Sequence, residues 1–138
     1  MSELIVLDTS VAVSWVLPDE QGGKTQSLKR NAVEDEKVQL IVPPIFWPEL
    51  ANVLAVAVQR SRISIDWAKA ALGALIAFDI AEYTIGPLNN LLAAISDRLS
   101  AYHAQYVVLV AQQTAGILWT LDQRLAKAAR DRGIAVAP

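Results

Sequence analysis

Leu4-Ile5-Val6-Leu7-Asp8-Thr9-Ser10 sets four apolar residues directly ahead of an acid and two hydroxyls. A short run that is apolar throughout, rather than alternating, is what a strand covered on both faces needs, so the stretch predicts a central parallel strand ending at Asp8. Asp8, Thr9 and Ser10 then offer capping side chains to an apolar helix over residues 11–17, which Pro18 ends. Strand, acid and helix start, in that order, set the pattern for the rest of the chain.

Gln21-Gly22-Gly23 loosens the chain before an amphipathic stretch over residues 25–37, in which Glu34-Asp35-Glu36 forms a solvated face. Residues 38–42 predict a second strand, stopped by Pro43-Pro44. A helix to residue 60 follows, with Leu50, Val53, Leu54, Ala57 and Val58 at helical spacing. It starts at either Pro44 or Pro48, because a proline deeper inside would remove an amide donor and clash with the preceding turn. Either start leaves Glu49 in the first turns.

Ser64 or Asp66 caps a helix to about residue 78, with Trp67, Ala71, Leu75 and Phe78 on one stripe, and residues 80–84 predict an edge-like strand. Gly86-Pro87 opens a helical piece over residues 88–99. Ser100 caps the next helix, over residues 101–115, with His103 in its first turn and Gly116 closing it. Residues 117–121 predict a fourth strand with Asp122 at its carboxyl end, then a helix to residue 132 and a fifth strand over 134–136. With neither repeat nor linker, the whole reads as a single domain over residues 1–138, an α/β three-layer α/β/α sandwich around a parallel sheet of four to five strands.

Apolar residues make up 54% of the 138 and charged residues 19%, which excludes a disordered tail. No cysteine is present, so disulfides, thiolate zinc sites and cysteine nucleophiles are excluded, and any metal must be held by oxygen or imidazole. The start meets Asp8 at once, without the basic residues or small-residue cleavage site of a signal peptide, and a cytoplasmic chain is expected. Residues 99–121 carry no formal charge, but His103, Gln105, Gln112, Gln113 and Gly116 interrupt them, so a helix and a strand are expected there instead of a membrane span. A net charge of −2 argues against a broad basic face, and RNA would be gripped locally or through metal ions.

Ligands of open parallel sheets bind outside the carboxyl ends of the strands, so Asp8 and Asp122 are expected to open toward one crevice, with Glu49 brought to the same edge by its helix start. The competing reading makes Asp8 and Asp122 caps of the helices that follow, and Glu49 a first-turn acid that complements the helix dipole. Three converging carboxylates repel one another unless a cation neutralises them, and hard oxygen ligands suit magnesium or manganese, hence metal-assisted phosphodiester hydrolysis. No glycine-rich turn follows the first strand and no P-loop occurs. Ser10 stands where a haloacid-dehalogenase-like phosphatase wants a second aspartate, and no nucleophile elbow is present.

Val6-Leu7-Asp8-Thr9-Ser10, Pro48-Glu49-Leu50-Ala51-Asn52-Val53-Leu54, Leu99-Ser100-Ala101-Tyr102-His103-Ala104-Gln105-Tyr106 and Thr120-Leu121-Asp122-Gln123-Arg124-Leu125-Ala126 resemble, in order, the motifs of PIN domains, with the nearest likeness to VapC-type toxins. The resemblance covers essentially the whole chain. It implies a PIN-like fold and a Mg2+- or Mn2+-dependent ribonuclease acting on RNA, made beside a cognate antitoxin that inhibits it and forming a homodimer through apolar helix faces. It further implies that Asp8 is a principal metal ligand, Glu49 a ligand on the second side and Asp122 a direct or water-mediated one, with Thr9 and Thr120 as supporting hydroxyls.

The sequence departs from the family at His103, where the pattern places an aspartate. The change removes one negative charge, and imidazole suits magnesium poorly but binds manganese tolerably. Without metal, an imidazole beside three carboxylates is expected to serve as an internal counter-ion that metal binding must displace together with its proton. Two readings follow: a nuclease of reduced activity with steep pH dependence, or a catalytically degenerate PIN-like module that binds RNA or a protein partner. A third role for His103 is that of a hydrogen-bonded helix-start residue.

Arg124, Lys127, Arg130 and Arg132 could meet phosphates, though stabilisation of a helix carboxyl end is the stronger reading, and Arg60 and Arg62 look like a helix terminus. Trp15, Trp47, Trp67 and Trp119 are expected mostly in the core or an interface, with Trp47 the best candidate for a partner surface. The helix around residues 50–58 is apolar on more than one face and is expected to pack on the sheet and a second chain together.

Overall fold

Strand β1, Glu3–Leu7, ends in three residues that solvent does not reach, Ile5, Val6 and Leu7. Four more strands follow: β2, Val38–Val42; β3, Ile80–Glu82; β4, Ile117–Trp119; and β5, Ala135–Ala137. All pair in parallel, in the order β3-β2-β1-β4-β5. In this computed structural model, residues 3–18, 23–35 and 37–138 are described, without the side chains of 93–95. Ile5 lies opposite Leu40 on one side and Ile117 on the other, and Val6 opposite Ile41 and Leu118. The unbroken apolar run at residues 4–7 is thus explained by a strand with neighbours on both edges and helices on both faces.

The helices are α1, Thr9–Val16; α2, Gln26–Glu34; α3, Phe46–Gln59; α4, Ile65–Ala77; α5, Ala94–Asp97; α6, Ala101–Ala111; and α7, Gln123–Asp131. Helices α1, α3 and α4 pack on one another, while α6 packs on α7, β1 and β4, giving the expected three layers. After β3, at one edge, the chain returns to β4 beside β1. Connections therefore leave the centre of the sheet in opposite directions, which opens a crevice at the carboxyl ends of β1 and β4.

Local chemistry fixes the helix starts that the site depends on. Helix α3 begins at Phe46, between the two expected starts, so Pro48 falls in its first turn, where an amide would have no intrahelical partner. Glu49 follows at once, its amide donating to the Ile45 carbonyl at 3.0 Å. Ser64, rather than Asp66, caps α4 by accepting from the Trp67 amide at 3.0 Å, and Ser100 caps α6 on the His103 amide at 3.1 Å.

Several expected boundaries are corrected. β4 stops at Trp119 instead of residue 121, because the Thr120 amide still donates to Ala137 but the Leu121 amide turns to the Ser10 hydroxyl on α1. Asp122 therefore sits beyond a bend and does not directly follow its strand. α6 ends at Ala111 and not at 115: the Gln112 and Gln113 amides fold back on carbonyls of its last turn, and the Gln113 side chain donates to the Leu109 carbonyl. Residues 88–99 divide into a 3-10 turn, Leu88–Ala93, and α5. α2 is shorter than 25–37, with Thr25 buried against Ser14 at 2.7 Å.

Trp67 is exposed rather than buried on its stripe, and its indole N–H donates to the Val16 carbonyl at the end of α1. Trp15 is buried and stacks on Phe78, with ring centroids 5.4 Å apart. Glu34 and Asp35 are exposed as expected, whereas Gln21, Gly22 and Glu36 lie outside the described residues. Among the described residues, no helix is long and apolar enough to cross a membrane.

Candidate metal centre at the carboxyl edge of the sheet

Asp8 occupies the position before α1, yet its side chain caps nothing there. Its Oδ2 instead accepts from the Ser10 hydroxyl at 2.6 Å and the Thr120 hydroxyl at 2.8 Å, the second reaching across from the end of β4. The residue is 5% exposed. Helix capping is therefore excluded as the reason for an acid at position 8.

Burial, first, and the nearby charges of Glu49 and Asp122 push the Asp8 carboxyl above its ordinary range, against the pull of the Ser10 and Thr120 hydroxyls. Glu49 and Asp122 thus lie near enough for their charges to act on Asp8. Thr120 connects two of the three acids: its hydroxyl donates to Asp8 and accepts from the Asp122 amide at 3.0 Å. Ser10 closes a second link, donating to Asp8 while accepting from the Leu121 amide at 2.9 Å.

Asp122 does cap its helix, with Oδ1 accepting from the Arg124 amide at 2.9 Å and the Leu125 amide at 3.2 Å. This capping role coexists with a place at the crevice, and substitution separates the two. Asp122→Ala is expected to cost about 1 kcal/mol of stability through the lost cap, and Asp122→Ser to restore most of it. If the crevice holds a divalent cation, both should also lose affinity for it by at least about 10-fold. Thermal melts and manganese titrations of the pair check this, and a serine variant that binds manganese like the parent would leave Asp122 a cap alone.

Glu49 reaches the crevice from α3 with both oxygens engaged: Oε1 accepts from the Tyr106 hydroxyl at 2.9 Å, and Oε2 lies 3.5 Å from Nε2 of His103. The His103 backbone joins the helix cap while its imidazole, nearly half exposed, turns to Glu49. The Thr9 hydroxyl touches none of the acids and meets the Tyr106 hydroxyl at 2.8 Å, so its supporting role is corrected to an indirect one. Ser10 and Tyr106 were missed as site residues. Their signal was present in the motifs, Ser10 two residues after Asp8 and Tyr106 one helical turn after His103, but each also reads as an ordinary cap or core residue.

The groups acting on Asp8 are two hydroxyls that donate to it and two carboxylates whose repulsion a cation would offset, all of them hard oxygen groups. In chemistry the set fits a hard divalent ion. In spacing it is open, since among the described residues no three Asp, Glu or His side chains are gathered closely enough to enclose one. Asp8, Glu49 and Asp122, with His103 as the fourth, are the residues that would hold it. Of the basic residues on the last helix, Lys127 pairs with Asp131 at 2.6 Å and Arg132 with Asp97 at 2.6 Å, which favours the stabilising role expected for them. Ala51 and Ala55 lie exposed on the outer face of α3 beside Ile65 of α4, so that face is apolar as the sequence anticipated.

No protein-family model and no curated protein matches the sequence. Among solved structures, the fold is similar to the crystal structure of PAE2754 from Pyrobaculum aerophilum, with a TM-score of 0.71 at 18% identity over 97% of this chain and 83% of that one. At that identity the likeness bears on the fold alone.

Proposed function

We propose that this chain is a PIN-like, VapC-type endoribonuclease that uses Mg2+ or Mn2+ to hydrolyse RNA phosphodiester bonds. The observation that carries the reading is Asp8, a buried carboxylate released from capping and held by hydroxyls from two elements, with Glu49 and Asp122 charged beside it. Burying such a group against two like charges costs stability, and a fold keeps that cost where function uses it. A divalent ion bound there would supply Lewis acidity to a phosphodiester. The chain's own part is to aim Asp8 through Ser10 and Thr120, to present Glu49 from α3, and to set Asp122 at the rim. A cognate antitoxin and a second copy of the chain are the proposed protein partners, with the apolar outer face of α3 as their meeting surface.

A second reading, the degenerate PIN-like module that binds RNA or a protein without cutting, draws on a specific contact. Glu49 already has an imidazole at 3.5 Å where a metal would otherwise face it, and the acids form no closed shell. The test is cleavage of structured RNA by the purified chain, freed of any antitoxin, in Mn2+ and in Mg2+. Cleavage in Mn2+ that EDTA abolishes is the expected result. Retention of RNA with no cleavage in either metal would transfer the assignment to the binding module.

A further inference from the structure

We propose that Tyr106 is a positioning residue for Glu49, its buried phenol holding one carboxylate oxygen so that the other faces the crevice. The inference rests on the nuclease reading for what Glu49 does, but not for how Glu49 is held. Tyr106 is fully buried within α6, where a phenylalanine would fill nearly the same volume, so the hydroxyl needs its own account. It has one on both sides. It donates to Glu49 Oε1 at 2.9 Å, which leaves its oxygen to accept from Thr9 at 2.8 Å, and the bonds therefore run in one direction, from Thr9 through Tyr106 to Glu49.

Glu49, which when ionised can only accept, takes the hydrogen bond from the phenol's single proton, and the Thr9 hydroxyl supplies the other bond. Thr9 adjoins Asp8 in the chain, and the relay thereby sets the side chain of Glu49 relative to the start of α1. A second contact comes from the neighbouring residue: the Ile45 amide, at the start of α3, donates to Gln105 Oε1 at 3.2 Å. Helix α6 thus grips both the backbone from which Glu49 projects and the carboxylate itself. A tyrosine kept only for packing would not require its hydroxyl to end on an acid of the crevice.

The test compares the parent chain with Tyr106→Phe, and uses Tyr102→Phe, an exposed tyrosine of the same helix, as control. Manganese titration followed by electron paramagnetic resonance should show half-saturation raised by about 10- to 100-fold in Tyr106→Phe, and unmoved in the control. In the metal-free chains, the 13C resonance of the Glu49 carboxyl should shift in Tyr106→Phe and not in Tyr102→Phe. Parent-like half-saturation, or an unshifted carboxyl resonance, overturns the proposal. A parent chain that binds no manganese counts against the nuclease reading, and the carboxyl resonance then decides the positioning role alone. Should Tyr106→Phe not fold, the Tyr106 hydroxyl proton in the parent decides: a slowly exchanging signal lost in Glu49→Ala supports the relay, and one that is absent or survives that substitution overturns it.

Discussion

Asp8→Asn will lose divalent-cation binding and RNA cleavage by at least about 10³-fold, yet melt at a higher temperature than the parent chain near neutral pH. On the proposed nuclease reading, the first effect follows from removing a charged ligand, whose contribution would be several kcal/mol of charge stabilisation at about 1.4 kcal/mol per tenfold. The second follows from the state of Asp8 in the fold. Burial, then Glu49 and Asp122, raise its pKa above the ordinary value of 3.8, so between that value and the raised one the folded chain binds more protons than the unfolded chain. Stability falls as pH rises through that window, and above it the full penalty is present. An asparagine carries no charge to desolvate, while its carbonyl can still accept from Ser10 and Thr120. The expected gain is about 1 kcal/mol, the size that relaxing a functional position commonly yields. Melts in chelator across the acid range should show the gain fading as pH drops through that window, and absent below the ordinary carboxylate value. A variant that melts lower than the parent at neutral pH would contradict a penalised carboxylate at position 8.

The architecture could be read from residues whose patterns allow one interpretation. The apolar run at 4–7, short and ended at once by an acid and two hydroxyls, read as a strand with both faces covered, and Val38–Val42 lay between an acidic run and Pro43-Pro44, so its limits were legible to the residue. Ser100 as a cap was legible because hydroxyl caps act locally, through the amide three residues on. Ends governed by distant partners were not. Nothing within residues 117–121 announces that the Leu121 amide will leave the sheet for Ser10, a partner more than a hundred positions away. The same holds for Tyr106, whose spacing within α6 marks it as core while its hydroxyl serves two other helices. The strand-end rule depends only on topology, and so it could point to the edge where Asp8 follows β1, but not to the bend that sets Asp122 beyond the end of β4. Which of them is a cap and which is freed from capping depends on side-chain direction, and there Asp8 and Asp122, indistinguishable by sequence, prove opposite.

His103→Asp should bind Mg2+ about 10- to 100-fold more tightly than the parent, the range that single changes around a metal site span, and should cut RNA faster in Mg2+ than in its absence. The parent places an imidazole 3.5 Å from Glu49, where it offers nitrogen to a crevice otherwise built of oxygen. Magnesium holds its water and prefers carboxylates, so the aspartate should alter Mg2+ binding more than Mn2+ binding, and the ratio of the two affinities is the decisive quantity. Without metal the same substitution should lower stability by about 0.5–1 kcal/mol, because it exchanges a partly exposed contact for a fourth carboxylate beside three. Added metal should recover that loss and exceed it, since an ion bound only by the folded state stabilises in proportion to its affinity. The opposite signs of the metal-free and metal-loaded shifts separate this from a simple packing effect. Cleavage by His103→Asp with none by the parent would make the histidine the residue that turns a nuclease site into a binding site. Cleavage by both, stopped in both by chelator, would make it a residue that selects the metal.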